Sequence, residues 1–255
     1  MSYLGFVKTL CEGYLAGFPE PRVLEIGVHR GQTALPLIHN LSLFSKFTYV
    51  GLDILPCKLV IEQVSQYANV SLLGLDERTG RDVILQHVNS LDWLEASKKS
   101  GQGRFDLVLV DGDHNYKTVT KELELIQAVI HPMSIIVCDD YNGQWAETDL
   151  YYSDRDEYKD NEKATKKEES EKQGVKTAVH DFLEENKTWS SETWGNLDPV
   201  ILYRNDVWEK FELTTEESPD VLSSTRQRHR SNRQPIVERD VKLTAHLRSM
   251  YLKSQ

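Results

Sequence analysis

Four short apolar runs each close on a glycine or an aspartate, and the first three are each followed by a segment of helical periodicity. They are Arg22–Gly27, Phe47–Asp53, Phe105–Asp111 and Ser134–Asp139. Near-continuous apolar strands separated by helices indicate a parallel sheet covered on both faces. Right-handed crossovers then give an α/β doubly wound, Rossmann-like sheet. Thr188–Trp194 and Pro199–Tyr203 flank Gly195-Asn196 and predict a closing antiparallel pair, so the last strand runs against the others. Helices are predicted over Thr33–Leu41, Leu59–Tyr67, from Leu91, over Val119–Ile130 and over Val175–Leu183. Val70–Leu75 reads as a strand or edge element. Asp82–Val88 has a mixed pattern, read as a helix ending in a short strand.

Apolar residues Leu4, Val7, Leu10, Cys11, Tyr14 and Leu15 recur at helical spacing and predict a leading helix, stopped by Pro19 and Pro21. The expected organisation is an N-terminal helix over 1–20, one catalytic-type domain over 21–213, and an Arg-rich tail over 214–255 that carries Arg226, Arg228, Arg230 and Arg233. Within the domain, residues 154–173 are dense in both charge signs and predict an exposed insertion, either a mobile loop or a solvated helix. Leu243–Leu252 reads as a short terminal helix.

The chain's formal net charge of −10 argues against a nucleic-acid partner and against purely electrostatic membrane attachment. Cys11, Cys57 and Cys138 have neither disulfide-framework nor zinc-site spacing. With no long apolar span and no secretory leader pattern, a cytoplasmic protein is expected.

Several constellations carry chemistry. Glu25-Ile26-Gly27-Val28-His29-Arg30-Gly31 joins a strand to a helix. A glycine there lets the backbone approach a ligand, and the helix start favours negative charge. The GxGxxG dinucleotide pattern is absent. Glu25 would repel a pyrophosphate but could hold the ammonium of an amino-acid ligand, which tilts the reading from a nicotinamide cofactor to S-adenosylmethionine. The alternative is an ordinary strand–helix turn. Asp53, at the end of the second run, suits both ribose hydroxyls, or caps a turn. Asn89 and Ser90 offer hydrogen bonds to an adenine edge, or cap the helix that follows.

Asp111-Gly112-Asp113-His114-Asn115-Tyr116 and Cys138-Asp139-Asp140-Tyr141 close two more strands. Carboxylates at the C-terminal ends of adjacent parallel strands converge on one rim. They repel unless a proton or cation intervenes, and an all-oxygen set suits Mg²⁺, Mn²⁺ or Ca²⁺. His114 lies three residues past Asp111 and suits general-base work near neutrality. Surface acids capping the following helices are the alternative.

On these residues, roughly 20–205 resemble class I S-adenosylmethionine-dependent methyltransferases. The resemblance is to methyltransferase family 24 and the cation-dependent O-methyltransferases, including the macrolide-sugar and cephalosporin-hydroxylase-like groups. Its most specific part is Asp111–Tyr116, Asp139-Asp140-Tyr141 and Gly174–Phe182. It implies that Glu25, Gly27 and Gly31 shape the methionine pocket, that Asp53 binds ribose, and that Asn89 and Ser90 lie by adenine. It implies a Mg²⁺ or Mn²⁺ ion on Asp111, Asp139 and Asp140, with Asp111 also facing the cofactor and His114 as base. Pro132-Met133-Ser134 departs from the Gly-Gly turn of relatives, and Asn89 from a frequent aspartate.

The implied reaction is O-methylation of a small molecule or sugar, a vicinal diol being favoured because two oxygens can chelate one metal. A metal-independent methyltransferase and a non-catalytic nucleotide-binding protein stay open. A metal-dependent hydroxylase lacks an evident 2-His-1-carboxylate set. Self-association into a homo-oligomer is left open.

Overall fold

The structure is a computed structural model that describes residues 3–65, 69–71, 80–101, 103–193 and 198–207. The Arg-rich tail, the Leu243–Leu252 helix, the Gly195-Asn196 turn and the ends of the 59–67 and 70–75 elements lie outside the described residues.

The strands are β1 (Arg22–Ile26), β2 (Phe47–Asp53), β3 (Asn69–Ser71), β4 (Arg81–His87), β5 (Phe105–Val110), β6 (Ile130–Cys138), β7 (Trp189–Thr193) and β8 (Val200–Arg204). They form one sheet in the order β3-β4-β2-β1-β5-β6-β8-β7. The first six in sequence are parallel; β8 runs antiparallel to β6 and to β7. The helices are α1 (Tyr3–Thr9), α2 (Ala34–Leu41), α3 (Lys58–Val64), α4 (Ser90–Ser100), α5 (Tyr116–Ile126) and α6 (Val175–Glu185). Alternate residues of the central strands feed two cores. Leu107 and Leu109 of β5 join the core that includes Phe6, Leu37 and Val60, beneath α1 to α3. Val108 and Val110 join the one that includes Leu94, Leu123 and Val179, beneath α4 to α6. This is the doubly wound α/β architecture that the apolar runs predict, with its antiparallel last strand.

Two local expectations are corrected. Residues 81–87 contain no helix: they are strand β4, paired along its length with β2. The mixed pattern arises because only Asp82–Leu85 is buried, and Asp82 is a polar residue inside that run. Helix α5 ends at Ile126 and not at Ile130, because Ile130 already pairs with Phe105 at the start of β6. Both α4 and α5 begin on an asparagine cap: the side-chain oxygens of Asn89 and Asn115 accept from the N–H groups of Leu91 and Thr118.

The chain turns outward to one side of β1 and to the other side of β5, so the sheet order reverses between them. In open α/β sheets a crevice opens at that point, beyond the carboxyl ends of the strands. No helix among the described residues is long and apolar enough to cross a membrane. Cys11, Cys57 and Cys138 are free thiols and buried.

Candidate active site

A cleft with about 530 Å³ of atom-free space, its open mouth included, sits at this reversal. Ile26 and Gly27 from the end of β1, Asp53 from β2, Asn89 and Ser90 after β4, and Asp111 after β5 all line it.

Gly27 adopts φ +89°, and a β-carbon there would lie 1.9 Å from the carbonyl oxygen of Asp111. Only glycine lets the β1 turn pass so close to the β5 turn. Gly31 does not line the cleft; it packs its backbone against the side chains of Val60 and Leu35. Glu25 is fully buried beneath the turn and likewise stands apart from the cleft walls. It accepts a 2.7 Å hydrogen bond from the Tyr49 hydroxyl, and its Oε1 has no hydrogen-bond partner among the described residues. Burial raises its pKa to about 8.

Asp53 uses one oxygen for the N–H of His29 (2.6 Å) and the other for the N–H of Leu55 (2.7 Å). A carboxylate has about four lone-pair sites, so acceptor capacity remains on the cleft side. Ser90 donates to Glu122 at 2.6 Å, which leaves its lone pairs for a ligand. The Asn89 side chain is committed at both ends. Its oxygen caps α4, and its amide donates to the carbonyl of Lys163 (2.8 Å) and the hydroxyl of Thr165 (3.1 Å).

Asp111 and Asp139 are hydrogen-bonded to each other. Burial raises both pKa values; Asp139, Glu25 and Asp140 raise that of Asp111 further, whereas for Asp139 the charge of Asp140 raises it and the contacts with His114 and Asp111 lower it. Asp140 is turned elsewhere. Its backbone sits at φ +56°, one oxygen accepts from the N–H of Gln144 at 2.9 Å, and the other lies 3.4 Å from His114 Nδ1. His114 Nε2 lies 3.8 Å from Asp111. The imidazole is thus bracketed by two acids, while burial lowers its pKa. Among the described residues, no group of three or more His, Cys, Asp or Glu side chains is arranged to hold a metal ion.

The charged insertion is mostly exposed, as expected, but part of it packs inward. It is a chain of turns folded onto the cleft, with Tyr158 and Ala164 buried, and Tyr152, Tyr158 and Thr165 lining the cavity. These wall residues were not anticipated. The available signal is three tyrosines, Tyr151, Tyr152 and Tyr158, in a stretch otherwise dominated by charge.

Residues 24–141 match the model of a family described as a methyltransferase domain. These residues form a methyltransferase domain. With the doubly wound sheet around it, this match supports the S-adenosylmethionine-dependent methyltransferase that the motifs imply. No curated protein matches the chain. Among solved structures, it is similar to an O-methyltransferase from Bacillus cereus in complex with S-adenosylhomocysteine (17% identity, 79% of this chain and 80% of that one, TM-score 0.49). It is similar to the O-methyltransferase TomG from Streptomyces achromogenes, involved in tomaymycin synthesis, in complex with S-adenosylmethionine (16% identity, 78% of each chain, TM-score 0.46). A third is the MycE methyltransferase of the mycinamycin pathway with Mg, S-adenosylhomocysteine and mycinamycin VI (18% identity, 73% of this chain and 46% of that one, TM-score 0.43). The methyltransferase match spans the cleft-lining ends of β1, β2, β4 and β5 and the acids after β6, and stops before the insertion.

Proposed function

We propose that the chain methylates a hydroxyl of a small molecule or sugar at this cleft, using S-adenosylmethionine with the assistance of a divalent cation. One observation carries the reading: Asp111 belongs at once to the wall of the cleft and to the acidic cluster with Asp139 and His114. A ligand filling the cleft from Asp53 therefore ends beside the groups that can receive a proton. Three buried free thiols and the acidic charge suit a reducing, cytoplasmic setting.

In this reading Asp53 accepts from the ribose hydroxyls and Ser90 presents lone pairs to the purine. Gly27 keeps the floor open, with Glu25 and Gly31 shaping the turn behind it. With an N–H at Nδ1 directed to Asp140, His114 has its Nε2 lone pair on the Asp111 side, where it takes the hydroxyl proton. The cofactor supplies an electrophilic methyl, and a Mg²⁺ or Mn²⁺ ion held by Asp111, Asp139 and Asp140 would supply positive charge that makes the hydroxyl more acidic. The residue types suit such an ion, since the charge of buried acids such as Asp111 and Asp139 is relieved by a cation as well as by a proton, although the three acids as they stand are not arranged to hold one. Alignment of oxygen and methyl within the cleft supplies much of the rate.

A metal-independent version of the same chemistry is favoured by the placement of Asp140, which is engaged by Gln144 and His114 and not by the other two acids. Titration of S-adenosylhomocysteine by calorimetry tests the cofactor reading, and its failure to bind would end it. Transfer of labelled methyl to a panel of sugars, catechols and vicinal diols, with and without EDTA, tests the rest. Turnover abolished by EDTA and restored by Mg²⁺ supports the cation; full turnover in chelator selects the metal-independent version.

A further inference from the structure

The insertion that follows β6 is anchored to three separate strand ends around the cleft. At the β2 end, the Asn161 amide donates to the carbonyl of Ile54, the residue after Asp53, at 2.8 Å. At the β4 end, Asn89 holds the Lys163 carbonyl and the Thr165 hydroxyl. At the β5 end, the N–H of Tyr152 donates to Asp113, and the N–H of Leu150 donates to the His114 carbonyl at 2.9 Å. Thr165, held by Asn89, lines the cleft together with Asp113. Between these anchors the cavity wall is aromatic: Tyr152 and Tyr158 meet edge to face, with ring centroids 5.0 Å apart. Tyr158 lies three residues before Asn161 and so stands on the Asp53 side of the pair.

We propose that residues 150–165 form the nucleoside-side wall of the cleft, that Tyr158 contacts the adenosyl group, and that Asn89 is a positioning residue that holds this wall in place. The inference rests on the cofactor reading above. It changes one expectation drawn from the sequence: Asn89 acts through the insertion and not on the adenine edge, because all its donors and its oxygen are already committed. An aromatic wall suits a purine because every base presents a π face, whereas a solvated charged loop has nothing to stack.

The test is calorimetry of S-adenosylhomocysteine and of 5′-methylthioadenosine, which keeps the nucleoside and lacks the amino-acid end. Tyr158→Ala is expected to weaken both ligands by the same factor, about tenfold. Tyr158→Phe, which keeps the ring, should stay within about threefold of wild type. Asn89→Ser keeps a good helix cap but is too short to reach Lys163, so its melting temperature should hold while both affinities fall by about fivefold. As a second readout, ligand should slow tryptic cleavage after the exposed Arg155 and Lys159 in wild type and much less in Asn89→Ser. Should Tyr158→Ala fail to fold, Tyr158→Leu carries the test, since it keeps apolar volume and loses the ring. Wild-type affinity in both the Tyr158 and Asn89 variants overturns the proposal and leaves the cofactor reading intact. Absence of binding by the wild type overturns both.

Discussion

Ser90 Oγ donates a 2.6 Å hydrogen bond to Oε1 of Glu122, an acid with no exposed surface on α5. The other oxygen, Oε2, has no hydrogen-bond partner among the described residues. Burial lifts the Glu122 pKa to about 8. The folded state therefore keeps a proton that the unfolded chain releases near its ordinary carboxyl value of 4.5. The stability tied to that proton is complete below pH 4.5, falls as pH rises, and is gone above about 8. Glu122→Gln, which stays neutral, should gain on wild type across this window by up to about 1.4 kcal/mol per pH unit. Urea midpoints at pH 5, 6.5 and 8 measure the gap; a gap that does not widen with pH refutes a buried protonated acid.

Gly27→Ala places a methyl against the Asp111 carbonyl and forces an alanine to a left-handed backbone. Separation of β1 from β5 or distortion of the turn should cost roughly 2–5 kcal/mol. Chemical denaturation reads the loss directly. A variant within 0.5 kcal/mol of wild type, on the order of ordinary surface substitutions, would show that the two turns are not in contact in solution.

Asp53→Ala removes the acceptor for the His29 and Leu55 N–H groups as well as the expected ribose acceptor. Asp53→Asn keeps one acceptor oxygen and loses the charge. We expect S-adenosylhomocysteine to bind about tenfold or more weakly to the alanine variant, with the asparagine variant between it and wild type. Equal affinities for all three proteins would remove Asp53 from the site.

Asp139→Asn keeps the hydrogen bond to Asp111 available and removes one charge from the cluster. Methyl transfer should fall severely while S-adenosylhomocysteine affinity changes little, because the proposed cofactor site lies mainly against the earlier strand ends. His114→Ala should lower the transfer rate by roughly 10²–10⁴, the usual span for a general base. Unchanged rates in the histidine variant would assign proton removal to water.

The sheet was legible because buried parallel strands are apolar throughout, and β1, β2 and β5 each end at a residue of the cleft. β4 was obscured because its charged ends, Arg81 and Asp82, mimic a helix start, although Asp82 is buried within the sheet. The start of β6 was hidden in an apolar run, Ala128–Met133, that suits either period until Phe105 fixes Ile130 in the sheet. The acids at the strand ends were legible as a group, but not that Asp140 turns to Gln144 and His114. The insertion was least legible. Its anchoring depends on single amide and hydroxyl groups, Asn161, Asn89 and Thr165, whose partners are far away in sequence.

The neck of that insertion is stapled. The N–H groups of Val175 and Lys176 donate to the carbonyls of Trp145 and Ala146, at 3.1 Å each, and Asp149 accepts from the N–H groups of both Gly174 and Tyr116. Gly174, at φ +82°, has room for no side chain beside the Ala146 carbonyl. Entry and exit of the loop are thus held together independently of what lies between them. The stretch from Leu150 to Gln173 can accordingly be exchanged as a cassette, lengthened, shortened or grafted, while β6 and α6 keep their positions. Ligand preference at this cleft can then diverge through one loop without disturbing the sheet that carries the acids.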